Sequence, residues 1–123
     1  MAVIAGASLK ILPAHASIQR SLSTLSNRWL LLTWDNRKPP HGVMGKISTD
    51  KGRTWLGEVL LYADHAPNGD CSYPASTRLD DGTIITAYYS VGPDSNINDG
   101  KSAHCNVVIY SEESLIKAAK KSL

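Results

Sequence analysis

Ser48-Thr49-Asp50-Lys51-Gly52-Arg53-Thr54-Trp55 is the stretch on which the reading of this chain turns. Ser48, Asp50 and Thr54 are short polar side chains of the kind that accept hydrogen bonds from turn amides. Gly52 supplies the positive φ that a tight connection demands. Trp55 carries an indole large enough to fold over a hairpin and bury apolar area. Two uses are open to the octet: Asp50 or Trp55 binds a ligand, or the whole stretch is a self-satisfied turn between strands. The residue types favour the turn, so the motif speaks for fold rather than chemistry.

Working outward, most of the chain reads as short strands cut by turn residues. Residues 2–12 and 14–20 form the first two. Residues 29–34, Trp-Leu-Leu-Leu-Thr-Trp, are a continuous apolar run, as in a strand buried on both faces. Residues 35–42 then read as a polar loop, because paired prolines stop both helix and ladder. Strands follow over 43–48 and 55–62, on either side of the octet. Residues 73–79 and 83–90 flank Asp80-Asp81-Gly82, a hairpin signal, and 104–110 form the last strand. The tail differs: Ser111 suits an N-cap, Glu112 and Glu113 suit a first turn, and Lys117, Lys120 and Lys121 suit a last turn. Leu115, Ile116, Ala119 and Leu123 share one helical face, which predicts a helix over 111–122. The fold class is all-β with one closing helix, in a single domain of 123 residues.

The octet fits S-x-D-x-G-x-T-W, and the chain resembles the sialidase-like family of Asp-box (BNR) repeats. Residues 13–20 with 29–34 are similar to the strand pair that opens a blade there. Arg37-Lys38-Pro39-Pro40-His41-Gly42-Val43 ahead of the octet, and Tyr73-Pro74-Ala75-Ser76 with Leu79-Asp80-Asp81-Gly82-Thr83-Ile84 and Tyr88-Tyr89, agree in order with the same family. The resemblance spans roughly residues 13–110. It implies β-propeller blades: one four-stranded blade at about 14–62, with the Asp-box joining its third and fourth strands. A second, at about 73–110, has three strands of its own and is completed by residues 2–12. Two blades do not close a ring, since propellers generally use four to eight. The resemblance therefore implies either missing upstream blades or self-association, with a homotrimer supplying six.

Sialidases use a tyrosine nucleophile, and the resemblance places Tyr73 at or near that position. An arginine triad holds the substrate carboxylate in the family, where bidentate guanidinium geometry is the physical point. Arg37 is the best candidate here, with Asp35 and His41 in the same loop, and Arg20 and Asp70 are further ligand-binding candidates. Arg78 is also available, Arg53 belongs to the turn, and Arg28 reads as loop surface. Several departures oppose hydrolysis. The family's N-terminal arginine motif and acid/base aspartate have no counterpart, and Tyr88-Tyr89-Ser90 stands where a glutamate is expected. Glu58, Glu112 and Glu113 are the only glutamates, none of them placed to activate Tyr73, and Met44 replaces a basic residue of some relatives. Two functions follow as expectations: a sialidase-like glycoside hydrolase fragment with an incomplete site, or a non-catalytic carbohydrate-binding or self-assembling module.

Other classes find little support. Thirteen Lys and Arg face eleven Asp and Glu, a formal charge of +2, which excludes a nucleic-acid binder working through a massed basic face. No apolar run approaches the roughly 20 residues of a membrane helix. The first base, Lys10, follows the apolar start, so no positively charged leader region precedes it, and the expectation is a cytoplasmic chain. Residues 94–100 resemble a calcium loop but lack its closing glutamate and have the glycine one place late. His15, His41, His65 and His104 form no ligand pair, so neither metal nor cofactor is expected. Cys71 and Cys105 leave both one bridge and two reduced thiols open.

Overall fold

A computed structural model of the chain describes residues 5, 20–36, 39–64, 71–91 and 103–122, with the side chains of Cys71 and Ser72 excepted. β1 (Arg20–Thr24), β2 (Leu30–Asn36), β3 (Gly42–Ser48) and β4 (Val59–Ala63) form one four-stranded antiparallel meander in chain order. β5 (Cys71–Arg78), β6 (Thr83–Ser90) and β7 (His104–Ser111) form a second antiparallel sheet of three strands. α1 (Glu112–Lys121) follows without a break. The all-β reading holds, as do the two sheets and the closing helix.

Some boundaries move. β1 starts where the second expected strand ended, and residues 2–12 and 14–19 lie outside the described residues apart from residue 5. Residues 55–58 are not in a strand; Leu56 N–H instead donates to the Ile47 carbonyl at 2.8 Å, and pairing resumes only at Val59. Asp35 and Asn36 belong to β2 rather than to the loop, because their backbones pair with Val43 and Gly42. The Asn36 amide then closes the connection by donating to the Pro40 carbonyl at 2.7 Å.

Apolar alternation sets the core. Leu31 and Ile47 from the first sheet meet Ile84 of the second and Leu115 and Ala119 of the helix, with Trp29, Val59, Leu61 and Tyr110 packed around them. Burying such side chains contributes roughly 1.5–3 kcal/mol each. Ser111 caps the helix by accepting from Ser114 N–H at 3.1 Å. Glu112 does more than favour the helix dipole: its carboxylate accepts from the Ser26 amide and hydroxyl, both at 2.7 Å, while its own N–H donates to the Gly82 carbonyl at 2.8 Å. One residue thus ties the β1–β2 turn and the β5–β6 turn to the helix start.

A second tie lies between the sheets. Asp64, directly after β4, is buried; its amide donates to the His41 carbonyl at 2.9 Å. Its carboxylate accepts from the Tyr88 hydroxyl at 2.7 Å and the Ser90 hydroxyl at 2.9 Å, both on β6. Asn106 on β7 completes the set by donating to the Tyr88 oxygen at 3.2 Å. The turn of β3 towards Asp64 requires glycine at position 42, where φ is 146° and a Cβ would lie 2.0 Å from the Tyr62 carbonyl oxygen.

Two outcomes are expected. Asp64→Ala strands two buried hydroxyls and lowers stability by about 2–4 kcal/mol in urea unfolding. Burial, reinforced by Asp64, pushes the Tyr88 phenol well above its ordinary range. Its contribution is therefore full below a pH of about 10, where the unfolded phenol ionises, and declines as pH rises beyond that. In a pH series of unfolding midpoints, Tyr88→Phe flattens the alkaline limb.

Candidate functional site

The β3–β4 connection is built as its residue types require. Ser48 Oγ accepts from Gly52 N–H at 2.7 Å and donates to Asp50 Oδ1 at 2.9 Å. Asp50 in turn accepts from the Thr54 amide at 2.8 Å and from the Thr54 hydroxyl. Gly52 takes a φ of 88°, the left-handed conformation expected of it. Trp55 packs on Leu32, Trp34 and Met44. Its indole Nε1 is buried without a hydrogen-bond partner among the described residues. Asp50 spends its oxygens on the turn itself, and Thr54 holds its carboxyl down at about 2.

The remaining candidates are scattered by strand parity. Cross-strand partners share a face and successive residues alternate. Arg20 pairs with Trp34, so it stands on the face of the first sheet opposite that of Asp35. Asp35 shares its face with Leu31, towards the second sheet, and is fully buried. His41 is half-buried and contributes its carbonyl to Asp64. Arg37 and Asp70 lie outside the described residues, as do residues 94–100. Among the other expected groups, Glu58 pairs with Lys46 at 3.5 Å, and Met44 is buried against Leu32 and Trp34.

Tyr73 is the exception, because the backbone singles it out. It carries a φ of 60° at a register shift between Ser72 and Ala75, where β5 bulges against β6. An aromatic residue in the left-handed region is strained, and bulges redirect side chains, often beside binding sites. Here the ring is aimed outward: Tyr73 is 61% exposed, and its ring centroid lies 6.2 Å from that of Tyr89 with the planes tilted at 56°. The two tyrosines border an open cavity of about 470 Å3, lined also by Ala75, Ala87, His104 and Cys105. The small alanines leave room above the sheet, so the floor is apolar with polar groups at its margin.

A nucleophilic phenol needs a base to take its proton. No hydrogen bond joins Tyr73 to a carboxylate among the described residues. The phenol that does meet a carboxylate is Tyr88, and burial keeps it protonated as a donor to Asp64. No residue pattern signals this pairing, because Asp64 follows a strand as any turn aspartate would. Tyr89 carried more signal, lying across the β6–β7 ladder from Cys105 and beside Tyr88 in the strand that follows the hairpin. Cys105 itself is exposed and free. It cannot reach Cys71, since β5 and β7 flank β6 at about 9.5 Å apart, beyond disulfide range.

Among the described residues no group of three or more His, Cys, Asp or Glu is placed to hold a metal ion, and no helix is long and apolar enough to cross a membrane. Comparison with protein-family models finds none that matches this chain, and comparison with curated proteins finds no match.

Titration of the Asp50 carboxyl by carbon NMR is expected to give a midpoint near 2. Because that pKa is depressed, the turn's stabilisation is present above a pH of about 4 and is lost as pH falls through the folded value. The Thr54 amide resonance should move with the same midpoint, and Thr54→Ala should raise it.

Proposed function

We propose that the chain is a sialidase-like partial propeller that binds carbohydrate without hydrolysing it, with Tyr73 and Tyr89 as the platform. In this reading the two antiparallel sheets are neighbouring blades, and the Ser48–Trp55 turn is the Asp-box of the first. The observation that carries it is the outward-aimed Tyr73, held at positive φ on a bulge and set against Tyr89 over an open apolar floor. Binding sites are mostly apolar and aromatic concavities with a few convergent polar groups. The flat faces of two phenol rings suit the C–H face of a pyranose, and their hydroxyls suit the ring hydroxyls at its rim. Weighing against turnover, Tyr73 has no described carboxylate to deprotonate it, and Arg20 and Asp35 stand on opposite faces of the other sheet.

The test combines binding with turnover. Saturation-transfer NMR with methyl glycosides of N-acetylneuraminic acid, galactose and glucose should detect binding by the wild type. Tyr73→Ala and Tyr89→Ala should each weaken it by about tenfold while leaving the unfolding midpoint within about 0.5 kcal/mol, as surface changes do. A fluorogenic sialoside should be hydrolysed no faster than in buffer. Turnover abolished by Tyr73→Phe would replace this reading with the hydrolase one. Absence of binding to every sugar would remove the platform from consideration.

A further inference from the structure

We infer that the tyrosine platform takes an uncharged pyranose and discriminates against acidic sugars, N-acetylneuraminic acid included. This rests on the carbohydrate reading of the site and goes beyond it by naming the sugar class. The outer face of the second sheet can be followed row by row. Tyr89 pairs with Cys105 on β7 and meets the Tyr73 ring from β5. Ala87 pairs with Ala75 on one side and with Val107 on the other, which makes the next row. Beyond it, Ile85 stands between Thr77 and Ile109. None of the described residues in these three rows carries a carboxylate, an ammonium or a guanidinium.

The cationic groups nearest in sequence are turned elsewhere. Arg78 is the only lysine or arginine in β5, β6 or β7. It pairs with Ile84, buried on the opposite face, and its guanidinium donates to the Leu79 carbonyl at 3.1 Å. His104 pairs with Ser90, which is also buried on that opposite face. Arg20 belongs to the first sheet.

A carboxylate laid on such a face gives up water on the contact side and gains no guanidinium fork in exchange, so its desolvation is uncompensated. The faces of the two phenol rings are themselves electron-rich and repel an anion. A neutral pyranose has the matching surface. Its ring C–H groups lie on the tyrosine rings and the alanine methyls, while the hydroxyls that point away from the sheet stay in water, because the cavity of about 470 Å3 is open. Charge, rather than ring shape, is therefore what the platform discriminates.

Ligand pairs that differ only in charge test this. Methyl β-glucopyranoside and methyl β-glucuronide share ring and stereochemistry and differ at C6, hydroxymethyl against carboxylate, and the corresponding galactose pair repeats the comparison. Titrated into the full chain at neutral pH and followed by amide NMR, the neutral member of each pair should bind about tenfold or more tighter. The methyl glycoside of N-acetylneuraminic acid should be as weak as the uronides. Val107→Arg sets a guanidinium beside Ala87 at a site that is 54% exposed, and it should narrow the gap to about threefold or less with the unfolding midpoint unchanged. A uronide or the neuraminic acid glycoside bound as tightly as the neutral sugars would overturn the inference and leave the platform standing. So would a gap that the folded Val107→Arg chain leaves intact. Binding of no sugar at all is a separate result: it removes the platform, and the sugar class falls with it.

Discussion

A buried carboxylate with two hydroxyl donors holds the sheets in register. Asp64 leaves the end of β4 and reaches Tyr88 and Ser90, alternate residues on the same face of β6. A lone carboxylate in such a place would be costly, and it is tolerated because its acceptor sites are filled. The bond also fixes chemistry, since Tyr88 stays protonated as a donor. Val43 packs on Tyr88, and Gly42 allows the backbone at Tyr62 to approach closely enough to deliver Asp64. A packing contact alone would let one sheet slide over the other, whereas two directed hydrogen bonds do not.

At the other end of the two sheets the helix start performs the same task. Ser111 ends β7 and caps α1, and Glu112 reaches the turns of both sheets from the next position. With Leu115 and Ala119 buried one and two turns later, the helix covers Leu25, Leu31, Ile47 and Ile84. Lys120 extends the contact over the Trp29 ring at 5.9 Å. Between the two ties, Ser76, Thr86 and Tyr110 form a hydroxyl chain across the second sheet at 2.8 and 2.7 Å, linked to β1 by Ser23 donating to the Ser76 carbonyl.

These ties leave the outer face of the second sheet uncommitted to the core. Its tyrosine pair depends on a bulge in β5. That pair stands on the face opposite the buried Ile84, Thr86 and Tyr88. The proposed tyrosine platform therefore sits on a fold whose stability is secured elsewhere, as expected when function lives in a site carried by a scaffold.

Local chemistry was legible in the residues themselves. The Ser48–Trp55 turn, the Asp80-Asp81-Gly82 hairpin, the Ser111 cap and the apolar run of β2 each depend on neighbours within a few positions, so residue type and spacing suffice. Tyr73 could be singled out by its motif, but its positive φ and its ring against Tyr89 arise only when β5 bulges on β6. Asp35 reads as loop because prolines follow it, and it becomes strand because Val43 supplies a backbone partner. Asp64 had no signature at all: its donors lie 24 and 26 residues away. Glu112 looked like a dipole residue and proved to be a staple to Ser26, 86 residues distant. Sequence determines what each backbone segment prefers, while long-range hydrogen bonds and strand parity exist only once the sheets are packed, and they decide which polar groups meet.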